Sequence, residues 1–320
     1  MMLWALLVLS ALVLAGALWA GPLDVGWEAL FAAVLGRDTS EAAQMALALR
    51  GPRALGAFAA GGLLALAGAL MQVLLRNPLA DPYVLGISGG AAVGALFAML
   101  LGQGLFGVNA AAFGGALGVM LLVLGLSHGV GSWTPTRLLL TGVMLSSGCS
   151  AVVALILSIT PGHRLPGMLF WLMGDASGVA APGLTLGVLA AGLMAALLLA
   201  RSLNVLGRGA LAAQALGVPV KRVQLVIYLL ASLLTAVAVT TVGAVGFVGL
   251  IAPHAMRLLM GGDHRLLLPA CVLAGGSLVS LADTLSRTLM SPLQLPVGVV
   301  MALIGVPTFL LLLTRAEVRA

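Results

Sequence analysis

The residues able to carry chemistry are few. The 320-residue sequence holds 15 Lys and Arg, 9 Asp and Glu, 4 His and 2 Cys. Asp283 is the one acid set deep in an apolar stretch, four residues before Arg287, a spacing that puts both on one helix face and lets them pair. A structural ion pair at a helix end and a functional carboxylate both satisfy that spacing. A proton-coupled carrier would place more Asp, Glu or His within its spans. An intramembrane protease or a metal transporter would need clustered His or carboxylates such as HExxH, and the sequence has none. His128, His163, His254 and His264 are scattered and read as polar residues at loops or helix ends. Cys149 and Cys271 lie in separate apolar runs and read as small core residues rather than as a disulfide or metal site. Lys221, in PVKRV, is the only lysine, so a G-x-x-x-x-G-K-[ST] phosphate loop cannot form. No catalytic residue, metal site or bound cofactor is assigned to this chain. If it serves an ATP-driven process, ATP and Mg belong to a separate subunit.

Composition says what kind of element must hold these groups. Hydrophobic residues make up 62% and charged residues 8%, with a mean hydropathy of +1.20, far more apolar than a soluble domain. No charge occurs in 1–23, 54–75, 82–136, 138–163, 176–200, 223–256, 266–282 or 288–314. One crossing needs about 20 apolar residues, so 82–136 reads as two helices hinged at GQGLFGVN (102–109). Likewise 223–256 reads as a full helix and a short one after GAVGFVG (243–249). The prediction is an all-α polytopic membrane protein of about ten transmembrane helices, near 2–20, 54–75, 83–101, 109–127, 137–159, 182–200, 222–242, 247–260, 266–287 and 296–314. Residues 1–320 form one membrane domain with no soluble domain.

Threading these spans from a cytoplasmic N-terminus puts Arg76, Arg137, Arg201, Arg208, Lys221, Arg222, Arg257, Arg265, Arg315 and Arg319 inside. Arg37, Arg50, Arg53, Arg164 and Arg287 fall outside, so both termini are expected in the cytoplasm. The net charge of +6 therefore needs no nucleic-acid partner. The first segment lacks a basic n-region and reads as a retained helix. The outer loop at 21–49, containing Asp24 and Asp38, has room for at most a short surface helix. RSLNVLGRGALAAQALGVPVKR (201–222) is too polar to span, and its ALAAQAL between Gly209 and Gly217 predicts one or two short helices on the cytoplasmic face. The 43 glycines, concentrated in the spans, suit close helix packing in lipid.

Three long stretches carry a resemblance: RNPLADPYVLGISGGAAVGA at 76–95, GAVGFVGLIAPHAMRLLMGGDHRLLLP at 243–269 and LPVGVVMALIGVPTFLLLL at 295–313. They resemble signature blocks of the BtuC/FecCD permeases, membrane subunits of ATP-binding-cassette importers for cobalamin, ferric siderophores and haem. The resemblance implies a BtuC-like bundle of ten helices in the bacterial inner membrane. It also implies a homodimer with the path on its two-fold axis, two cytosolic ATPase subunits and a periplasmic binding protein.

The resemblance further implies roles for particular residues. Arg50 and Arg53 in ALRGPRAL and Arg287 in ADTLSR match outer-rim arginines that receive acidic residues of the binding protein, a task suited to the guanidinium fork. Gly209, Ala213, Leu216 and Gly217 keep the G-x-x-x-A-x-x-L-G pattern of coupling helices that dock on the ATPase, with Ala210 at a position usually acidic in relatives. Asn77 and Leu79, together with Thr134, Pro135 and Thr136, match a cytoplasmic gate, Pro135 standing where a hydroxyl residue is common. Gln294 and Met301 occupy positions often Glu and Thr. The implied cargo is an iron chelate, haem or ferric siderophore, with cobalamin as the alternative. A stand-alone secondary carrier and a channel are the rivals from other classes, and both would work without an ATPase.

Overall fold

The computed structural model describes residues 1–21, 25–37, 40–127, 134–179 and 181–317, with side chains as far as 311. Asp24, Asp38, His128 and Arg319, and the side chain of Arg315, lie outside the described residues. Among those described there are fourteen α-helices and no strand. α1 (Met2–Trp19), α2 (Trp27–Val34) and α3 (Glu41–Leu74) are followed by a 3-10 turn at Pro82–Leu85. Next come α4 (Ile87–Leu100), α5 (Leu105–Ser127), α6 (Pro135–Ile159), α7 (Leu165–Met173) and α8 (Gly183–Leu198). After α9 (Ala200–Leu206), α10 (Ala210–Ala215) and α11 (Val220–Val242), the chain closes with α12 (Val248–Met260), α13 (His264–Thr288) and α14 (Val297–Glu317). α1, α3, α5, α6, α11 and α13 are each long and apolar enough to cross a membrane. The pair α8–α9, bent by 59°, makes a seventh candidate crossing. The shorter apolar helices α4, α12 and α14 lie where three of the other expected crossings were read.

α3 is the axle of the bundle. Its 34 residues reach about 51 Å at 1.5 Å per residue, and from Ala57 to Leu74 nearly every side chain is buried. α11, α12 and α13 lie against it. The approach is close because the contacts are glycines: a Cβ on Gly61 would sit 2.2 Å from the Gly275 carbonyl oxygen, and one on Gly68 1.9 Å from that of Gly249. In lipid, where apolar contact alone drives little association, such backbone-to-backbone packing supplies the dispersion that holds helices together.

The structure corrects three expectations. α2 is the short helix allowed in the 21–49 stretch, but α3 already begins at Glu41, so Arg50 and Arg53 lie within a helix rather than ahead of one. The charge-free run begins only after those arginines, although Arg is a good helix former and the helix continues through Pro52. α7 fills a stretch to which no element was assigned; nine apolar residues fall below the length of a crossing. His254 is a buried residue in the middle of α12, not a boundary residue.

Candidate functional site

The two ends of α3 define two polar regions. At the Arg50 end, three helices bring their charges together. Arg53 on α3 faces Asp283 on α13, its Nε 3.0 Å from both carboxylate oxygens and its Nη2 2.8 Å from Oδ1. Arg287, one turn along α13, keeps its Nε 3.5 Å from Asp283 Oδ2 without hydrogen-bond geometry. The sequence-predicted pair thus exists, but Arg53 is the principal partner of Asp283.

Arg50 and Arg287 serve α1. Arg50 Nη1 donates to the Leu18 and Trp19 carbonyls at 3.0 and 2.8 Å. Arg287 donates from Nη1 to Ala20 at 2.8 Å and from Nη2 to Ala17. α1 has no basic residue in its own last turn, so arginines from α3 and α13 satisfy its terminal carbonyls and meet the negative end of its dipole. A network that sequence reasoning did not foresee extends from here. Gln294 accepts from Arg53 Nη1 at 3.4 Å and donates to Asp175 Oδ1 at 3.1 Å. A glutamate at 294 could not donate to Asp175, which accounts physically for the amide at this position.

The structure therefore gathers Arg50, Arg53 and Arg287 around a cavity of about 420 Å³, which Ser177, Pro292 and Gln294 also line. Arg50 is 5% exposed, and the side chains of Arg53 and Arg287 are 13% and 8% exposed. All three have internal partners, yet they outnumber the single carboxylate among them. An entering carboxylate would meet excess positive charge.

At the other end, the turn after α3 is built from local bonds. Arg76 takes a left-handed conformation at φ 48°, and the Leu79 N–H donates to Asn77 Oδ1 at 2.9 Å. Asp81 accepts from the Tyr83 N–H at 2.8 Å and caps the 3-10 turn. Burial raises the Asp81 carboxyl to about 6, partly offset by that Tyr83 hydrogen bond. Thr134 caps α6 by accepting from the Arg137 N–H at 3.3 Å, and Pro135 occupies the first helical position, where its missing N–H costs nothing. Asn77, Leu79 and Thr136 are exposed. No described hydrogen bond joins Asn77 or Leu79 to 134–136. α6 instead meets the 3-10 turn through Gly142, where a Cβ would lie 2.7 Å from Leu85 Cα.

The two expected short helices at 201–222 are α9 and α10. Gly209 at φ 125° and Gly217 at φ 77° bracket α10, and the Val218 N–H closes its end on the Ala213 carbonyl at 2.9 Å. Ala213 turns inward and is fully buried, whereas Leu216 is 70% exposed and Leu211, which sequence reading passed over, 83% exposed. Ala210 begins α10 without an acidic residue in its first turn. Among the described residues, no group of three or more His, Cys, Asp or Glu is placed to hold a metal ion.

Residues 6–315 match the FecCD transport family. The chain is 40% identical over 299 residues, 91% of its length and 84% of the relative's, to the uncharacterized ABC transporter permease protein YvrB of Bacillus subtilis. It is also 40% identical over 301 residues, 92% of its length and 81% of the relative's, to the cobalamin import system permease protein BtuC of Halobacterium salinarum. A solved ABC transporter of metal-chelate type, in an inward-facing conformation, superposes with a TM-score of 0.84 at 30% identity, covering 98% of each chain.

Proposed function

This chain belongs to the FecCD transport family, and from that membership we propose that two copies of it enclose the import path of a bulky metal chelate. It is the permease subunit of an ATP-binding-cassette importer in the bacterial inner membrane, with ATP hydrolysis on a separate subunit and cargo brought by a binding protein. In the proposed arrangement both termini are cytoplasmic. The binding protein presents acidic side chains to the cavity of Arg50, Arg53 and Arg287. The ATPase seats on α9 and α10 around Gly209, Ala210, Leu216 and Gly217, with Ala213 anchoring α10 to the bundle. The turn at Asn77 and Leu79, with Thr134, Pro135 and Thr136 at the start of α6, forms the cytoplasmic gate.

The second copy is supported by α6, of whose apolar window only 11% is buried within one chain. Its open surface mixes Leu140, Met144 and Leu155 with Ser147, Ser150 and Ser158. Each of those serine hydroxyls donates to a carbonyl three or four residues back on α6, so the support for a second copy is the extent of the open face.

For the cargo, a corrinoid is favoured by one observation, the 40% identity to a relative named for cobalamin import. An iron chelate, haem or ferric siderophore, is the second reading, favoured by the likeness to a transporter of metal-chelate type. The test is uptake by proteoliposomes holding the permease with its ATPase and binding protein, offered radiolabelled cobalamin, haem or a ferric siderophore. ATP-dependent cobalamin uptake is expected. Uptake of an iron chelate alone would transfer the cargo to the second reading, and uptake without the ATPase would overturn the importer.

A further inference from the structure

A cavity of about 650 Å³ lies between α5, α8 and α11. It sits at the Arg50 end of the bundle, since Ser177 lines the rim cavity and its neighbour Gly178 lines this one. The two cavities share no lining residue, and no part of this wall belongs to α6, α9 or α10.

The wall changes character with depth. α5 starts at Leu105 and α8 at Gly183, while α11 finishes at Val242. The Thr185 and Thr241 hydroxyls, 3.2 Å apart, set the start of α8 and the end of α11 at one height. Gly178 marks the start of α5 at that height, where its Cβ would touch Leu105 Cδ1 at 3.7 Å. At about 1.5 Å per residue, Asn109, Thr185, Thr240 and Thr241 fall within about 6 Å of these helix ends, whereas Phe113, Val188, Leu233 and Val237 line the cavity from about 7 to 14 Å. Every polar side chain of the wall therefore lies in its upper part, and the lower part is wholly apolar.

The hydroxyls in the upper part have spent their protons. Thr240 donates to the Ala236 and Val237 carbonyls at 3.0 and 2.9 Å, and Thr241 donates to Val237 at 2.7 Å. Thr185 must then supply the proton of its bond to Thr241. Asn109 differs: half-buried and lining the cavity, it forms no hydrogen bond among the described residues. Its amide N–H groups are the free side-chain donors of the wall, so an occupant that fits brings an acceptor to that height and an apolar body below it. Leu105, Phe106 and Leu184 also line the cavity and are exposed on the bundle's surface, so in a membrane it opens toward lipid. The interfacial layer over the hydrocarbon is about 5–8 Å thick. Asn109, about 6 Å below the start of α5, stands at the depth of glycerolipid esters.

We propose that this cavity holds one acyl chain of a glycerolipid from the adjoining leaflet. The ester carbonyl accepts from Asn109 Nδ2, and the chain runs down between Phe113, Val188, Leu233 and Val237. The lipid is then a fixed packing element between α5, α8 and α11.

The test uses the full chain, delipidated in detergent, with retention of phosphatidylethanolamine read by native mass spectrometry. The ester-linked lipid should be retained over its ether-linked analogue of equal chain length by about fivefold, the worth of one hydrogen bond. Asn109→Leu should abolish that preference. Val237→Trp, which fills the lower part, should reduce retention of both lipids by about tenfold. If that variant melts early, Val188→Phe on another helix should still reduce both by about threefold. Equal retention of the two linkages by the wild type, or a preference that survives Asn109→Leu, overturns the proposal. So does undiminished retention in the filled variants. A filled variant that loses its dimer while keeping its lipid would show a second copy of the chain in the cavity instead, and also overturns it.

Discussion

Arg53 of α3 clasps Asp283 of α13 with Nε 3.0 Å from both carboxylate oxygens and Nη2 2.8 Å from one, while Arg287, Asp283's neighbour on its own helix, stands 3.5 Å off. A contact between residues 230 apart in sequence prevails over one only four apart because helical spacing brings Arg287 alongside, whereas the glycine-lined meeting of α3 and α13 lets the Arg53 fork arrive with both oxygens in reach. Arg287 is then available to α1.

Asp283 is 1% exposed, so removing either partner strands a buried charge. Asp283→Ala and Arg53→Ala should each cost about 3–5 kcal/mol, and the double variant should cost less than their sum. Thermal unfolding of the purified protein measures this, and additive losses would mean that the two residues are not coupled.

Arg50→Gln tests the rim. It removes the charge facing the 420 Å³ cavity while keeping an amide donor for the end of α1. Binding-protein affinity should fall by about tenfold, with recovery in Arg50→Lys. Equal affinity for all three proteins by surface plasmon resonance would leave Arg50 as a cap of α1 and nothing more.

Gly68→Ala should destabilise by about 1–3 kcal/mol, since the added Cβ would fall 1.9 Å from the Gly249 carbonyl oxygen. Helix propensity alone predicts a gain of about 1 kcal/mol. The direction of the change in melting temperature separates backbone contact from propensity.

Asp81 makes stability depend on pH. Burial raises its carboxyl in the folded protein to about 6 from 3.8, so between those values the folded state holds the proton more tightly than the unfolded state. Its contribution is full below pH 3.8 and is lost as pH rises through 6. Asp81→Asn, which can still accept from the Tyr83 N–H, should flatten the melting-temperature profile over that window. An unchanged slope would place the titration elsewhere.

Leu211 on the short helix α10 and Leu216 at its C-cap expose apolar surface, at 83% and 70%. Leu211→Gln with Leu216→Gln should alter stability by less than about 0.5 kcal/mol per site while the ATPase subunit no longer co-purifies. Full co-purification would remove α10 from the interface.

How much of this could be read from the chain follows from the range of each interaction. Charge-free runs report the thickness of a bilayer, so the helical membrane class and the positions of its long apolar helices were legible residue by residue. So were the short helices at 201–222, whose glycine brackets depend on backbone conformation at single positions. The partners of Arg53, Arg50 and Arg287 were not legible, because they depend on which helices touch and at what height. That is set by glycine contacts such as Gly61 with Gly275 and Gly68 with Gly249, between segments some 180 to 215 residues apart. The true start of α3 and the whole of α7 were hidden for the opposite reason: hydropathy marks what crosses lipid, and these segments are helical without meeting that condition. His264 and Gln72 looked like ordinary polar residues in the sequence. Their burial and their unpaired atoms exist only in the folded bundle, because both depend on which distant helices pack against them.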